Sequence, residues 1–186
     1  MSDAVIQPRH SFDDYERLLT ASEFRLEYVD GYIRVMAGGT GRHNVISGNL
    51  YAATRAAGSA AGCTAYIEGR RLDIASSDNH VLRSYFPDVM VVCTPLLDAP
   101  ADRSPCFVAE VLSDSTASVD NIEKLAAYTT LDSVLAYALV SQHERRVVLH
   151  RRYGDGFRAE VYSAGESFQL DCPLTTIAVD DLYSGL

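Results

Sequence analysis

The chain has 186 residues, of which 47% are hydrophobic and 22% are charged, values typical of one soluble globular domain. Its formal net charge of -9 disfavours non-specific binding to a polyanion, although bound divalent cations could offset that charge locally. No apolar run approaches the roughly 20 residues that span a bilayer, and MSDAVIQPRHSFDDY lacks the apolar core of a signal peptide. We therefore expect a single domain over residues 1–186 with no membrane segment.

The first predicted elements are a capped helix and a hairpin. SFDDYERLLTA (11–21) has a helical pattern, and Ser11 with Asp14 forms the S-x-x-[DE] signal of a capping box. FRLEYVDGYIRVM (24–36) has Asp30-Gly31 near its centre, a pair typical of tight hairpin turns. The N-terminal region is therefore expected to be a helix followed by two antiparallel strands.

A second helix is predicted after the glycine-rich segment GGTGR. In HNVISGNLYAATRAAG one helical face carries Ile46, Leu50, Ala53 and Ala57. Short strands are then predicted at TAYIE, RRLDIA and PDVMVVC, with a loop around Asp78 and Asn79 before the third. The proline-rich connection PLLDAPADRSP (95–105) leads to the strand PCFVAEVL.

The last third of the chain begins with a predicted helix over 119–131, whose core-facing residues are expected to be Ile122, Leu125, Ala126 and Thr129. SVLAYALVS and RRVVLHRR then resemble two strands joined at the turn QHE, and two weaker strands and a short final helix, DDLYSG, follow. Because strands outnumber helices and the helices are interspersed, we expect an α/β (α+β) fold, with a mixed sheet flanked by helices.

The four cysteines are Cys63, Cys93, Cys106 and Cys172, and they include no C-x-x-C pair. Cys93 and Cys106 lie in or beside apolar segments with a strand pattern, and free cysteine is among the most buried residue types. We therefore expect reduced, mostly buried cysteines in a cytoplasmic protein, and we do not expect a zinc site.

Two carboxylates interrupt otherwise apolar strands. Asp88 begins one of them, and Glu110 lies in the next on the same face as Val108 and Leu112. A buried ionised carboxylate persists only when it is paired or bound to a metal. Alone, Asp88 could cap a strand start and Glu110 could pair with an arginine. Together on neighbouring strands they suit Mg²⁺, which takes one or two carboxylates plus waters and substrate phosphates.

Lys124 is the only lysine among the 16 lysine and arginine residues. Asp120, Lys124 and Tyr128 are spaced i, i+4, i+8 along the predicted helix, beside its core face. One interpretation is a surface pair of Asp120 with Lys124, which contributes about 0.2–0.5 kcal/mol. Arginine would serve that pairing equally well, whereas only lysine supplies a compact ammonium whose pKa can move. The pattern therefore favours a functional lysine.

These residues together resemble the PD-(D/E)XK nuclease superfamily, and within it a widespread family of restriction-endonuclease-like proteins. The matching segments, in order, are LEYVDG (26–31), GRH (41–43), PDV (87–89), EVLS (110–113) and D-x-x-x-K-x-x-x-Y (120–128). The resemblance implies a restriction-endonuclease-like core in which helices flank a bent mixed β-sheet, with the site at the split end of the sheet. Leu112 departs from the pattern, since E-x-K expects lysine there; in this family the lysine is thought to have moved to the following helix, where Lys124 stands.

The resemblance also implies roles for individual residues. Asp88 and Glu110 would bind Mg²⁺, for which Mn²⁺ can substitute, with the carbonyl of Val111 as a further ligand. Lys124 would orient or activate the attacking water. Glu27 matches the early acidic position and would bind a second metal or an ordered water, although it could equally be a solvent-facing hairpin residue.

Three further residues would contact or support the substrate. His43 would contact phosphate, unless it is simply a polar residue at a helix start. Asp120 would orient Lys124, and Tyr128 would line the cleft or pack. The arginine pairs at 70–71, 145–146 and 151–152 could contact backbone phosphates or protect sheet edges from pairing.

The function implied by the resemblance is hydrolysis of phosphodiester bonds, in DNA before other nucleic acids, by an Mg²⁺-dependent endonuclease. Two alternatives stay open: an inactive module of the same fold that binds nucleic acid or protein, and a metal-dependent phosphohydrolase of small phosphoesters. Two strand cuts need two sites, which would suit a homodimer, although nothing in the residues demands one.

Overall fold

The computed structural model describes residues 9–36, 38–112 and 120–186, which form an α+β fold. Its helical elements are α1 (Phe12–Ala21), α2 (Gly41–Ala60), a π-helical turn (Asp120–Lys124) that runs into α3 (Leu125–Tyr128), and α4 (Val179–Leu182). Its strands are β1 (Leu26–Val29), β2 (Tyr32–Val35), β3 (Thr64–Ile67), β4 (Arg71–Ala75), β5 (Val81–Tyr85), β6 (Val89–Val92), β7 (Ala101–Asp102), β8 (Pro105–Leu112), β9 (Ala136–Ser141), β10 (Arg146–Tyr153), β11 (Gly156–Ser163), β12 (Ser167–Asp171) and β13 (Leu174–Ala178). The extension of one domain over residues 1–186 stays a prediction.

The N-terminal helix and hairpin form as the sequence predicts. The backbone N–H of Asp14 donates to Ser11 Oγ at 3.1 Å, and the N–H of Ser11 donates to Asp14 Oδ2 at 3.0 Å, which closes the capping box. At the hairpin turn, Asp30 and Gly31 have φ values of 50° and 95°, a conformation that Asp-Gly pairs adopt readily. This two-residue turn sets the register of β1 and β2, in which Glu27 lies opposite Arg34.

Two mixed sheets make up the body of the fold. The first has the strand order β2-β1-β5-β4-β7, the second has the order β11-β10-β9-β8-β6-β3, and β12 pairs with β13 in a separate ribbon. Among the described strands, only β4 with β7 and β8 with β9 pair in parallel. A parallel pair needs a long crossover connection, and the π-helical turn and α3 lie in the connection from β8 to β9. The mixed architecture flanked by helices is therefore as predicted, with two sheets where one was expected.

The hydrophobic core lies on both faces of β6 and β8. Successive residues along β6 point alternately into two separate core clusters: Val89, Met90, Val91 and Val92. Leu50 of α2 packs in the first cluster, and Tyr128 of α3 packs in the second. Because both faces are covered, these strands carry nearly continuous apolar runs, and a carboxylate in either run is conspicuous.

The helix predicted over 119–131 differs most from the structure. The expected core face is wrong for Ile122, which is 73% exposed, and for Ala126, which is also exposed, whereas Leu125 packs against the core as predicted. Lys124 and Tyr128, which were expected beside that face, are buried. Hydrogen bonds in a π turn span five residues instead of four, so the turn rotates side chains away from the 3.6-residue period assumed in the prediction. The structure also contains β5, which the sequence patterns did not indicate, and three strands instead of two near the C-terminus.

The cysteines are paired, which corrects the prediction of reduced thiols. Cys63 is bonded to Cys93 with an S–S distance of 2.08 Å, and Cys106 is bonded to Cys172 at 2.21 Å. Cys63 and Cys106 are buried, as expected, whereas Cys93 is exposed. The prediction failed because the fold brings together cysteines that are 30 and 66 residues apart in the chain. Pairing of β3 with β6 joins Cys63 to Cys93, whereas Cys172 reaches Cys106 from the separate β12–β13 ribbon.

The longest helix, α2, has 20 residues and includes Arg42 and Arg55. Within the described parts of the chain, no helix combines the length and apolar character that crossing a bilayer requires.

Candidate active site

The predicted site residues form two contacting groups at one end of β6 and β8. In the first group, Lys124 contacts Glu27 and Glu110. In the second, Asp88 contacts His43 and the backbone of Val111. The two groups meet because Glu110 and Val111 are consecutive residues of β8.

Lys124 is buried between two buried carboxylates. Its Nζ lies 3.2 Å from Glu27 Oε1 and 3.1 Å from Glu110 Oε1, and all three residues are no more than 6% exposed. Glu27 is therefore not a solvent-facing hairpin residue. A charge withdrawn from water to this extent is retained only when an opposite charge lies close by. The ammonium of Lys124 is therefore held in place by Glu27 and Glu110 inside the protein, and it does not form an exposed ion pair on a helix surface.

Lys124 is the last residue of the π-helical turn, and its side chain is buried there. Its Nζ also lies 5.6 Å from the centroid of the Tyr85 ring, a distance at which the ring quadrupole attracts a cation. Tyr128, one helical turn further on, donates a hydrogen bond to Glu110 Oε1 at 2.8 Å. Burial raises the pKa of the Tyr128 hydroxyl well above its ordinary value, so this group stays a donor.

A second layer of charge surrounds this group. Arg34 Nη2 lies 3.3 Å from Glu27 Oε2 and 2.7 Å from Glu123 Oε1. The Tyr85 hydroxyl donates to the same Glu123 oxygen at 3.0 Å, and burial raises the pKa of Tyr85. Arg34 therefore links the hairpin to the crossover connection and holds Glu27 towards Lys124. Sequence reasoning missed Arg34, Tyr85 and Glu123. For Arg34 a signal was present, because the two-residue turn at Asp30-Gly31 places Arg34 opposite Glu27 in the hairpin.

Asp88 stands one position before β6, one step beyond the last strand pair, Val89 with Ala109. Its Oδ2 accepts hydrogen bonds from the N–H of Val111 at 2.7 Å and from His43 Nε2 at 3.1 Å. Among the described residues, none donates to the second oxygen, Oδ1. Asp88 is therefore held firmly through one oxygen while the other keeps its lone pairs for a ligand.

His43 reaches Asp88 from the first turn of α2. Thr40 caps this helix, since its Oγ1 accepts from the N–H of His43 at 3.1 Å. The hydrogen bond to Asp88 raises the pKa of His43 above its ordinary value, against the opposing effect of burial. His43 Nδ1 also lies 4.0 Å from Glu68 Oε1. The imidazole is thus held between two carboxylates, which favour its charged form.

The donor set of the site fits a hard divalent cation. Arg34 and Lys124 contact three carboxylates, those of Glu27, Glu110 and Glu123. The carboxylate of Asp88 contacts His43 instead. Within the described residues, Glu27 Oε1 is buried and accepts no hydrogen bond, and Lys124 Nζ lies 3.2 Å from it. Carboxylate oxygens with unused lone pairs and an excess of negative charge are what Mg²⁺ or Mn²⁺ requires. In the described parts of the chain, however, the three predicted acidic residues do not form a group whose ligand atoms all lie within 4.8 Å of one another.

Val111 contributes to the same edge of β8. Its N–H points to Asp88, beyond the end of β6, and in a strand the N–H and C=O of one residue point to the same side. The carbonyl predicted as a ligand therefore faces the Asp88 side. Tyr128 is fully buried, so it supports Glu110 and does not line an open cleft. The side chain of Asp120 lies outside the described residues, and Glu27 and Glu110 are the groups seen to orient Lys124.

Comparison with known proteins covers the same region of the chain. A family profile described as "Uma2: Putative restriction endonuclease" matches residues 12–179, which include every predicted site residue. The chain belongs to the Uma2 family. Among relatives of this Uma2 chain, the Synechocystis protein slr1290 is 31% identical over 96% of the chain and 94% of its own length. A second Synechocystis protein, sll1609, is 29% identical over 75% of the chain and 84% of its own length.

The Uma2 chain also shares its fold with a solved structure. A crystal structure described as "a putative nuclease belonging to DUF820", from Anabaena variabilis, superimposes with a TM-score of 0.76 and 17% sequence identity. The match covers 94% of this chain and 97% of the other. It confirms the predicted α+β fold of mixed sheets flanked by helices.

The paired arginines of the Uma2 chain have partners within the protein. Five of the six form ion pairs with acidic side chains, and Arg152 donates to the carbonyls of Leu131 and Val134. The ion-paired members are Arg70 with Asp102, Arg71 with Glu16 and Asp73, Arg145 with Asp180, Arg146 with Glu144, and Arg151 with Glu160 and Asp171. These contacts hold strands and loops together, so the pairs have a structural role in this fold.

Proposed function

We propose that this chain is a divalent-metal-dependent endonuclease that hydrolyses phosphodiester bonds, with DNA as its substrate. The observation that carries the proposal is the buried contact of Lys124 with Glu27 and Glu110, joined through Val111 to Asp88. Burying these charges costs stability, and apolar residues would fill the same space more cheaply. The family description and that of the Anabaena protein both name nucleases, which supports the same class of activity.

In this proposal Asp88 and Glu110 hold Mg²⁺ or Mn²⁺, with the Val111 carbonyl as a further ligand and Glu27 as a candidate for a second ion. When bound, the ion supplies a Lewis acid for the phosphoryl oxygen and lowers the pKa of water. Asp88 is ready for this role because His43 and Val111 fix one of its oxygens. Tyr128 holds Glu110 in its rotamer by a hydrogen bond.

Lys124 then takes the place of the lysine that E-x-K motifs carry two residues after the acid. Its ammonium stabilises the negative charge that develops on the phosphate as water adds to phosphorus and the P–O ester bond breaks. Glu27 and Glu110 fix the ammonium in advance, so no reorganisation is needed during the reaction. A charged His43 adds a second positive group that attracts the phosphate.

The net charge of -9 favours a second candidate, a phosphohydrolase acting on small phosphoesters. A small substrate meets less repulsion from an acidic protein than a polynucleotide does. The same residues would then act on a short phosphoester, without contacts along a nucleic-acid backbone.

Cleavage assays test the proposal directly. We expect the protein to cut plasmid or single-stranded DNA with Mg²⁺ or Mn²⁺, and to lose this activity with EDTA or in Asp88→Ala. Asp155→Ala, in the exposed turn between β10 and β11, is the matched control and should cleave at the wild-type rate. Hydrolysis of bis-p-nitrophenyl phosphate without cleavage of DNA would favour the small-phosphoester candidate. Inactivity on every substrate with both metals would contradict both.

Metal binding should also appear as thermal stabilisation. Mg²⁺ or Mn²⁺ binds only the assembled carboxylates, so either ion should raise the melting temperature in a concentration-dependent way. Glu110→Gln should remove most of this increase, because a neutral amide is a weaker ligand for a hard cation. Glu144→Gln, at an exposed glutamate in the β9–β10 turn, should keep the full increase. Equal increases in both variants would show that the ions bind elsewhere.

A further inference from the structure

All four cysteines of the chain meet at one place, away from the candidate active site. Cys93 Sγ lies 3.3 Å from Cys172 Sγ and 3.8 Å from Cys106 Sγ, in addition to its bond to Cys63. Cys93 follows β6 whereas Asp88 precedes it, and Cys106 lies near the start of β8 whereas Glu110 lies near its end. Four residues of strand separate Cys106 from Glu110, roughly 13 Å. The sulfur cluster is therefore a separate feature of the sheet.

Three parts of the fold build this cluster. Thr64 of β3 pairs with Val92 of β6 at the end of their ladder. Cys63 precedes Thr64 and Cys93 follows Val92, so the two cysteines lie opposite each other just beyond the paired residues. Cys106 stands on β8, the other neighbour of β6. Cys172 lies in the turn between β12 and β13, the ribbon that belongs to neither large sheet.

The spacing of the sulfurs suits one tetrahedral metal ion. Thiolates bound to Zn²⁺ at about 2.3 Å in a tetrahedron lie about 3.8 Å from one another. The two non-bonded sulfur contacts of Cys93, at 3.3 and 3.8 Å, are already close to that value. Cys63, Cys93 and Cys172 further form a group whose sulfurs all lie within 4.8 Å of one another.

We propose that the reduced cysteine cluster binds one Zn²⁺ ion, and that the two disulfides are its oxidised, metal-free form. A dithiol reductant supplies two electrons and two protons to each disulfide and is itself oxidised to a disulfide. The four thiols then lose four protons as the ion binds, which gives a tetrathiolate site with a net charge of −2. The exposed Cys93 gives the reductant and the ion access, while the buried Cys63 and Cys106 close the inner side.

Cobalt spectroscopy on the full chain tests this inference. After reduction and removal of the reductant without air, Co²⁺ should give thiolate charge-transfer and tetrahedral d–d bands that saturate at one equivalent, and Zn²⁺ should abolish them by displacement. Cys172→Ser and Cys93→Ser should each lose the four-thiolate spectrum. Asp88→Ala is the control, and it should keep the bands because its carboxylate lies at the other end of β6.

A measurement on the wild type alone covers the case in which a cysteine variant does not fold. Native mass spectrometry of the reduced, zinc-loaded chain should show one bound ion. Two equivalents of diamide should release this ion as they take up four electrons from the thiolates and four protons from the solvent. The disulfide-bonded chain that remains should be four hydrogen masses lighter than the reduced, metal-free chain. A reduced chain that gives no thiolate–cobalt band would overturn the inference, as would a folded Cys172→Ser with an unchanged spectrum. Either result would leave the cysteines as cross-links only.

Discussion

Replacing Lys124 by methionine should lower the free energy of unfolding by about 3–5 kcal/mol, the usual cost of removing one partner from a buried ion pair. Methionine is close to lysine in length and helix propensity, so the main change is the loss of charge. Glu27 keeps Arg34 as a partner at 3.3 Å, whereas Glu110 loses the ammonium at 3.1 Å. Urea unfolding followed by circular dichroism measures the effect.

Two further variants make this stability prediction specific. Adding Glu110→Gln to Lys124→Met should recover part of the lost stability, because the buried carboxylate left by the first change is removed. Arg146→Met, at an exposed pair with Glu144, should cost no more than about 1 kcal/mol. If Lys124→Met and Arg146→Met cost the same, Lys124 is not the buried counter-charge described above.

Replacing Lys124 by arginine should lower the cleavage rate by roughly 10²–10³, the range seen when one positioned electrostatic or acid–base group is lost. This prediction rests on the proposed nuclease activity. The guanidinium is larger and planar, and it does not give up a proton at working pH. It has to fit a space where Nζ already lies 3.1 to 3.2 Å from two carboxylates and 5.6 Å from the Tyr85 ring.

Lys124→Arg keeps the positive charge of the side chain and changes its size and shape, so it tests the two contributions to the rate separately. Overpacking in a buried site costs about 1–3 kcal/mol, so rates should be compared well below the melting temperature of the variant. The metal-induced rise in melting temperature should persist, because Asp88 and Glu110 are unchanged. Arg146→Lys, an exchange in the opposite direction on the surface, should leave the rate unaltered. Wild-type rates in Lys124→Arg would show that the ammonium only balances the charge of Glu27 and Glu110.

Local signals predicted the parts of the fold that depend on neighbouring residues. The box of Ser11 with Asp14 and the turn at Asp30-Gly31 are made by residues close in sequence, and both have the predicted geometry. Glu110 was conspicuous because a carboxylate interrupts an apolar strand that is covered on both faces. In each of these cases the physical cause lies within a few residues of the observed pattern.

The features that sequence reasoning missed depend on distant contacts or on an irregular backbone. The π-helical turn changes the phase of the helix, so Ile122 is exposed where an α-helical period predicted burial. Arg34 and Glu123 are 89 residues apart, and no spacing rule connects them. The cysteine cluster is a further example, since it needs both the pairing of β3, β6 and β8 and the placement of the β12–β13 ribbon beside them.

The position of Lys124 on the crossover connection has a consequence for how the protein folds. Contacts between residues far apart in the chain close large loops, and folding slows as their share of all contacts rises. The candidate site depends on such contacts. Its acidic residues Glu27, Asp88 and Glu110 lie on β1, just before β6 and on β8, and Lys124 lies on the connection from β8 to β9. A partly folded chain that has formed the hairpin and the helices, but has not yet paired β8 with β9, would therefore still lack the contact of Lys124 with Glu27 and Glu110. Under the proposed nuclease function, we therefore expect cleavage activity to appear only after the connection between β8 and β9 has brought Lys124 to Glu27 and Glu110.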